Sequence, residues 1–395
     1  MYSTSTLFFN PNYRFGIMNK YLFSLWTLIA AIVLIALPSG SATAQGSDSY
    51  TVETIISEIR VPWGMDWLPD GDMLITDRGG ELYHYSEGEI VGTIDGVPEV
   101  WSRGQGGLLD IAVHPNYEQN GWIYMTYSSP KGGSGANTAL MRARLSNDRK
   151  SLTNQEVLYK AEPNSQRGQH FGSRIEFDGK GHVFFGIGER GNRDENPQDI
   201  TRDMGKIYRL NDDGSIPADN PFVGRKGLDA IFAYGIRNPQ GMDIHPETGQ
   251  LWEHEHGPRG GDEINIIEAG NNYGWPEICF CIDYDGSEIT PDTAKAGMEQ
   301  PEWYWDPSIA PSGMTFVTSD KYPEWKGDLL VGSLKFGYVV RVNVEGSTVT
   351  GDEILFRGIG RVRNIRQGPD GYIYVATESD NGIVRIVPAN EQSTN

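Results

Sequence analysis

One histidine lies in a segment whose pattern allows either chemistry or a structural turn. His170 sits in RGQHFGSR, between a polar glycine turn and the run IEFDGKGHVFFGIG, which is typical of two short β-strands. The chain has only 7 histidines. An imidazole at the edge of a sheet can act as a general base near neutral pH, and an ordinary turn histidine fits the local sequence too. The surrounding elements must distinguish the two roles.

The segment HEHGPRGGDEINIIEAGNNYGWP is rich in oxygen atoms of the kind that bind calcium. Its turn offers the carbonyls of Gly257 and Pro258, and Asp262, Glu263 and Tyr273 follow. Calcium prefers such hard oxygen ligands. The segment lacks the EF-hand pattern, and capping of the turn is the alternative role for its two acidic residues.

These residues belong to six versions of one repeated phrase. Each version has a short apolar strand, a turn of Pro, Asp or Gly residues, and a second apolar strand that ends in polar residues. The versions begin at Pro62, Gly106, Gly172, Gln240, Ser312 and Arg363. Their spacing leaves room for two more strands in each unit, and repeated four-stranded units are typical of a β-propeller. The sequence predicts one all-β domain over residues 45–395, a six-bladed β-propeller of four-stranded antiparallel blades.

The last repeat is one strand short. Only GIVRIVP follows its phrase, whereas YTVETIISEI precedes the first phrase of the chain. We therefore expect the N-terminal strand to complete the sixth blade and close the ring.

This fold would bring polar residues to one face of the ring. In an antiparallel blade, the start of the first strand and the end of the second lie at the same edge. The residues at these positions are Arg78, Gln105, His170, Glu189, Arg237, Asn238, His256, Gly257, Pro258, Lys335, Arg361, Arg363 and Glu378. Such a cluster of cations is unusual in a chain of net charge −20. Either a polyanionic ligand or salt bridges between blades would explain it, and spacing alone does not separate the two.

The N-terminal segment has the features of a secretory signal peptide. From Met18, an alternative start, a lysine precedes a long apolar stretch, a Pro/Gly break and then Ala42-Thr43-Ala44. We predict a signal peptide over residues 1–44, a periplasmic or secreted protein, and no membrane span in the mature chain. An uncleaved membrane anchor is the alternative, because the apolar stretch approaches the length of a span. The acidic composition argues against nucleic acid and anionic membranes as partners.

The two cysteines do not form a disulfide framework. Cys279 and Cys281 lie in ICFCIDYDG, and the C-x-x-C-H motif that attaches haem is absent. We expect two free thiols in a buried segment, with a short Cys279–Cys281 bridge as the alternative.

Seven motifs in order along the chain resemble one known family. They are GQGGLLDIAVHPNY, QHFGSR, AYGIRNPQGMD, EHGPRGGDEINII, NNYGWP, VGSLKFG and GRVRNIRQGPDGYIYV. Together they are similar to the soluble quinoprotein glucose/sorbosone dehydrogenases, and most similar to the periplasmic aldose sugar dehydrogenases among them. The resemblance covers nearly the whole mature chain. It implies a six-bladed propeller that binds pyrroloquinoline quinone (PQQ) and calcium and oxidises an aldose at C1 to the lactone.

The resemblance also implies a role for each matching residue. His170 matches the catalytic base, and Arg237 matches its partner at the reacting quinone carbonyl. The other quinone contacts would be Gln105, Asn238, Tyr284, Lys335, Arg361 and Arg363. The carbonyls of Gly257 and Pro258 would hold the calcium that touches the quinone, and Glu263 with Tyr273 a second, structural calcium.

The implied mechanism is hydride transfer from C1 of the sugar to the quinone while His170 removes the hydroxyl proton. Calcium and Arg237 would stabilise charge on the quinone oxygen. PQQ carries three carboxylates, whose charge the cation cluster would offset. Electrons would leave to a separate acceptor, since the chain has no haem motif.

Some features depart from the family or favour other readings. Gln169 stands where the glucose-oxidising branch has an acid before the base, which puts glucose specificity in doubt.

A calcium-dependent lactonase propeller is one alternative, but it has no use for four cations around its metal. A non-catalytic sugar- or protein-binding propeller is another, and the presence of both His170 and Arg237 disfavours it.

Overall fold

A computed structural model describes residues 49–378 and 382–391 of the chain. Within these ranges, 24 strands form six four-stranded sheets, accompanied by one short helix, α1 (Tyr117–Asn120), and one 3-10 turn (Ala389–Glu391). Neighbouring strands within each sheet run antiparallel, as the pairing of β2 with β3 and of β3 with β4 illustrates. The prediction of an all-β, six-bladed propeller is confirmed. The predicted signal peptide, residues 1–44, lies outside the described residues.

The strands follow one another blade by blade. The N-terminal strand is β1 (Tyr50–Ile56). Blade 1 contains β2 (Pro62–Trp67), β3 (Met73–Asp77), β4 (Glu81–Ser86) and β5 (Glu89–Thr93). Blade 2 contains β6 (Leu108–Val113), β7 (Trp122–Ser129), β8 (Asn137–Leu145) and β9 (Leu152–Lys160). Blade 3 contains β10 (Ile175–Phe177), β11 (His182–Ile187), β12 (Lys206–Asn211) and β13 (Ile231–Tyr234).

The second half of the chain forms the other three blades. Blade 4 contains β14 (Pro239–Ile244), β15 (Leu251–Glu255), β16 (Asp262–Ile267) and β17 (Trp303–Trp305). Blade 5 contains β18 (Pro311–Phe316), β19 (Leu329–Ser333), β20 (Tyr338–Glu345) and β21 (Thr348–Leu355). Blade 6 contains β22 (Val362–Gln367), β23 (Ile373–Thr377) and β24 (Ile383–Pro388).

The N-terminal strand closes the ring, as the short last repeat predicts. Strand β1 pairs antiparallel with β24, from Tyr50 opposite Pro388 to Ile56 opposite Ile383. Blade 6 thus gains its fourth strand, and the edge of β24 no longer exposes unpaired N–H and C=O groups.

The first strands of the blades form a ring around the propeller axis, and each contacts the first strand of the next blade. Apolar side chains fill the spaces between blades, because each sheet must cover both faces. Leu74 of blade 1, for example, packs in one cluster with Met125 of blade 2. Burying a large apolar side chain of this kind contributes roughly 1.5–3 kcal/mol.

The predicted common face is present. In four blades the residue after the second strand donates its main-chain N–H to the carbonyl of the residue before the first strand. These pairs are Arg78 to Val61 at 3.1 Å, His256 to Asn238 at 3.3 Å, Leu334 to Ala310 at 2.9 Å and Glu378 to Arg361 at 2.8 Å. The loops at this edge therefore have fixed main chains, which position their side chains over the centre of the ring.

The expectation of free thiols is wrong. Cys279 and Cys281 form a disulfide, and the structure contains no free cysteine among the described residues. The loop turns so tightly here that the two Cα atoms are 5.3 Å apart, within the range that a disulfide spans. Spacing of two residues does not reveal such a turn.

Among residues 49–378 and 382–391, no helix is long and apolar enough to cross a membrane.

Candidate active site

His170 sits on a loop held in an unusual conformation. Its φ of 57° lies in the left-handed region, which is costly for a residue with a Cβ and which often marks functional sites. Its main-chain N–H donates to Oε1 of Gln105 at 2.7 Å, and Gln105 in turn donates its own N–H to the carbonyl of Gly168 at 2.7 Å. Blade 2 thus holds the loop that precedes blade 3.

A carboxylate orients the His170 ring. Nδ1 of His170 is hydrogen-bonded to Oε1 of Glu189, the second residue after β11. Because a carboxylate only accepts, the proton lies on Nδ1 and Nε2 carries the lone pair. The ring and Glu189 both line a cavity of about 440 Å³. This histidine and carboxylate have the arrangement of a general base and its orienting partner.

The surroundings of His170 keep its ring neutral. Burial lowers the pKa of His170, and the positive charge of Arg237 lowers it further. The hydrogen bond and the charge of Glu189 oppose both effects. A neutral imidazole is the form that can accept a proton, so the ring is ready to act as a base at neutral pH.

Arg190, the third residue after β11, also holds the loop of His170 in place through hydrogen bonds. Arg190 is 1% exposed, and its guanidinium lies 3.4 Å from the centre of the Phe171 ring. It donates hydrogen bonds to the carbonyls of Gln169 and Arg167, the latter at 2.8 Å. The only sequence signal for Arg190 was its position after the second strand of a blade. That position did not predict its hydrogen bonds to the loop of His170.

Arg237 lies beside His170 on the wall of the same cavity. Its Nη1 donates to the carbonyls of His256, at 2.7 Å, and Gly257, at 3.1 Å. Its main-chain N–H donates to the buried Glu255, and its guanidinium stacks 5.2 Å from the centre of the Trp275 ring. The structure therefore brings the two predicted catalytic residues together and holds the arginine rigidly.

The two arginines of blade 6 share one carboxylate. Nε of Arg361 donates to Glu378 at 2.9 Å, and Nε of Arg363 donates to Glu378 at 2.7 Å. Burial alone would raise the pKa of Glu378, but the charges and hydrogen bonds of the arginines outweigh it and lower this pKa to about 2. This salt bridge lies within one blade, not between blades. The three groups together carry one net positive charge.

The remaining predicted quinone contacts line the same region. Gln105 and Asn238 line a central cavity of about 180 Å³ together with Arg361 and Arg363. Lys335 and Tyr284 line a third cavity, of about 940 Å³, that also includes Arg361. Nζ of Lys335 donates to the carbonyl of Ser308 at 3.0 Å and has no carboxylate partner among the described residues. Tyr284 is 66% exposed and also lines the cavity of His170.

The predicted calcium ligands of the turn face these cavities. Gly257 and Pro258 line the 940 Å³ cavity, and Pro258 also lines that of His170. The carbonyl of Gly257 accepts from Arg237, whereas that of Pro258 accepts no hydrogen bond within the described ranges. The turn is held from behind by Asp262, whose Oδ1 accepts from the N–H of Gly257 at 2.8 Å. The Pro258 carbonyl has both lone pairs free within the described chain and the Gly257 carbonyl has one, which suits a calcium ion at this edge.

Glu263 and Tyr273 line none of these three cavities. The Tyr273 hydroxyl donates to the carbonyl of Ile266 at 2.6 Å and accepts from the N–H of Glu268 at 2.8 Å. The main-chain carbonyl of Tyr273 accepts no hydrogen bond within the described residues, so it is the freer of the two oxygens to bind a metal.

A buried carboxylate with one unsatisfied oxygen lies in the same part of blade 4. Glu253 is fully buried, and its Oε1 has no hydrogen-bond partner in the described part of the chain. Burial, and then repulsion from Glu255, raises its pKa well above the usual range, and Glu263 adds to the repulsion. A cation would relieve this arrangement. The described residues contain no group of three or more His, Cys, Asp and Glu side chains that could hold a metal, so carbonyl ligands would have to contribute.

Comparisons with known proteins agree with this fold and identify a family. The sequence model of the glucose/sorbosone dehydrogenase family matches residues 59–386. The aldose sugar dehydrogenase YliI of Escherichia coli is 43% identical over 366 residues, which cover 91% of this chain and 98% of that protein. Quinoprotein glucose dehydrogenase B of Acinetobacter calcoaceticus is 28% identical over 454 residues, covering 92% and 94%.

A solved structure is similar over the same region. The crystal structure of the soluble aldose sugar dehydrogenase of Escherichia coli in its apo form has a TM-score of 0.82 and 42% identity, covering 86% of this chain and 100% of that one. With the family match over most of the chain, the conclusion is direct: the chain belongs to the glucose/sorbosone dehydrogenase family.

Proposed function

We propose that this protein is a PQQ-dependent dehydrogenase that oxidises the C1 hydroxyl of aldose sugars to the lactone. One observation carries the proposal: a neutral, carboxylate-oriented His170 faces a cavity whose other walls hold Arg237 and adjoin the arginines of blade 6. The names of two similar proteins, an aldose sugar dehydrogenase and a quinoprotein glucose dehydrogenase, support the substrate class and the cofactor.

Each residue has a defined part in this reaction. PQQ, when bound, supplies an ortho-quinone that accepts the hydride from C1 of the sugar. Nε2 of His170 removes the hydroxyl proton, and Glu189 stabilises the resulting imidazolium through Nδ1. The Arg237 guanidinium is held by hydrogen bonds to two main-chain carbonyls. Its positive charge would stabilise the negative charge that develops on the quinone oxygen.

The remaining residues hold the cofactor and calcium. Lys335, Arg361 and Arg363 would bind carboxylates of PQQ, while Gln105, Asn238 and Tyr284 would contact its rings and other polar atoms. The carbonyls of Gly257 and Pro258 would bind the calcium nearest the quinone. Glu263 and the carbonyl of Tyr273 would contribute to a second calcium site, whose positive charge would stabilise the buried glutamates of blade 4.

Export and electron transfer complete the proposal. Residues 1–44 would be removed as a signal peptide, so that the protein works in the periplasm or outside the cell and N-terminal sequencing finds Gln45 first. Electrons would pass from the reduced protein to a separate acceptor.

The test is reconstitution of the purified chain with PQQ and calcium, followed by dye reduction with a panel of aldoses. We expect aldose-dependent reduction that requires both PQQ and calcium. Single-turnover PQQ reduction should fall by about 10²- to 10⁴-fold in His170→Asn, since this is the usual cost of losing a general base.

A matched variant, His182→Asn, controls for loss of a histidine. His182 binds Asp178 in a turn outside the three cavities. The His182→Asn variant should reduce PQQ at the parent rate. If the His170 variant, saturated with PQQ and calcium, also kept the parent rate, His170 would not be the base.

A further inference from the structure

Arg78 presents a charge to the central cavity that no motif assigned. It follows β3 in blade 1 and lines the 180 Å³ cavity with Gln105, Arg361 and Arg363. Its main chain is fixed on both sides: its N–H donates to the carbonyl of Val61 at 3.1 Å, and its carbonyl accepts from Leu108 at 3.3 Å. The side chain therefore starts from a rigid point at the rim of the site.

Among residues 49–378 and 382–391, the guanidinium of Arg78 has no partner. Within the described ranges, its nitrogen atoms make no hydrogen bond and no ion pair, although it is only partly exposed. Arg361 and Arg363, on the same cavity, both bind Glu378. An unpaired guanidinium enclosed with two other arginines is unfavourable unless an anion joins them.

Burial and the nearby positive charges lower the pKa of the neighbouring Arg363. Burial is the main reason that the pKa of Arg363 is lowered, and repulsion from Arg361 and then Arg78 contributes in the same direction. The attraction of Glu378 opposes these effects and does not overcome them. The cavity thus has an excess of positive charge.

A count of charges shows what ligand would balance them. Glu378 cancels one of the two blade 6 arginines, so that group carries one net positive charge. Lys335, on the adjoining 940 Å³ cavity that shares Arg361, adds a second, because its Nζ has no carboxylate partner within the described chain. Arg78 adds the third. We propose that Arg78 binds a carboxylate of the tricarboxylate cofactor, an inference that rests on the proposed function.

The test is direct titration of the purified chain with PQQ in the presence of calcium, followed by tryptophan fluorescence or calorimetry. Arg78→Gln should raise the dissociation constant at least tenfold, because a charge-assisted hydrogen bond is lost. Arg78→Lys keeps the charge and should bind PQQ more tightly than the Gln variant. Arg225→Gln is the matched control, since Arg225 is exposed in a loop outside the three cavities, and it should bind PQQ like the parent.

Melting curves without PQQ separate binding from folding. Arg78→Gln should melt at the parent temperature without PQQ and gain less stability when PQQ is added. If it fails to fold, Arg78→Met, which keeps the apolar stem, replaces it. Parent-like PQQ affinity in a folded variant would overturn the role of Arg78 alone. Failure of the parent itself to bind PQQ would overturn the proposed function, and this proposal with it.

Discussion

At the scale of single residues, the site depends on side chains that hold the candidate functional residues in place through hydrogen bonds. Glu189 decides which nitrogen of His170 carries the proton, and Arg190 donates to the carbonyls of Arg167 and Gln169 in the loop just before His170. Glu378 fixes two arginines side by side. Glu189 and Glu378 lie after second strands, where the repeat predicts site residues, but the sequence did not pair them with their partners.

Replacing Glu189 by glutamine tests the orientation of the base. The amide removes the negative charge that favours the protonated ring, so the pKa of His170 should fall below its already lowered value. The acidic limb of the pH profile of kcat/KM should therefore move to lower pH. The maximal rate should also fall at least tenfold, because an amide donor at Nδ1 favours the wrong tautomer.

The control for this variant is Glu195→Gln, in the same loop, where Glu195 binds Arg202 near the surface. Its pH profile should match the parent. An unshifted acidic limb in Glu189→Gln would contradict the assigned role of Glu189.

At the scale of elements, a disulfide loop supports the turn that carries the candidate calcium carbonyls. Arg259 and Ile282 exchange main-chain hydrogen bonds of 3.2 and 3.0 Å. Gly261 lies so close to Cys281 that a Cβ at that glycine would come within 3.1 Å of the cysteine Cβ. Phe280, between the cysteines, stacks on Tyr304 at 4.0 Å. The bridge therefore restrains the loop that pairs with Arg259, the residue after Pro258.

Replacing both cysteines by serine should loosen this support. We expect the calcium concentration needed for half-maximal PQQ binding to rise about threefold or more, because ordering the turn then costs additional entropy. Calcium titrations monitored by PQQ binding measure this calcium concentration. A dithiol reductant should reproduce the effect in the parent and leave the double variant unchanged. Identical calcium titrations in all samples would show that the bridge does not support the site.

At the scale of the whole molecule, charges in the ring of first strands connect distant blades. Arg366 of blade 6 interacts with Asp66 of blade 1, Glu176 of blade 3 and Asp243 of blade 4. Burial raises the pKa of Glu176 above its usual range even though Arg366 attracts its charged form. The folded protein therefore holds a proton on Glu176 at pH values where the unfolded chain has released it.

This proton makes stability depend on pH. Because the folded state binds more protons than the unfolded state, the contribution of Glu176 falls as pH rises from about 4.5, the ordinary glutamate value, through the higher folded pKa. Glu176→Gln removes this dependence, so the difference in melting temperature between variant and parent should become more positive from pH 5 to pH 8. Glu89→Gln, on the exposed outer strand β5, should show no such trend. A constant difference for Glu176→Gln would contradict the raised pKa.

The sequence by itself determined the fold and the face of the ring on which the candidate site residues meet. Apolar alternation and turn residues are local signals, so six repeats were enough to predict six blades, the closing strand β1 and the face on which His170, Arg237 and the other polar residues meet. The family resemblance then supplied the expected cofactor and the residue roles.

Only the tertiary structure decided which of these residues pair and which remain unpaired. The bonds of His170 to Glu189, and of Arg361 and Arg363 to Glu378, join residues that are separated by 15 to 19 positions. The turn that closes the Cys279–Cys281 bridge likewise depends on how neighbouring loops pack, as does the lack of a partner for Arg78 in the described part of the chain. Side-chain pairing depends on distances between loops that the folded blades bring together, and no local sequence pattern contains those distances.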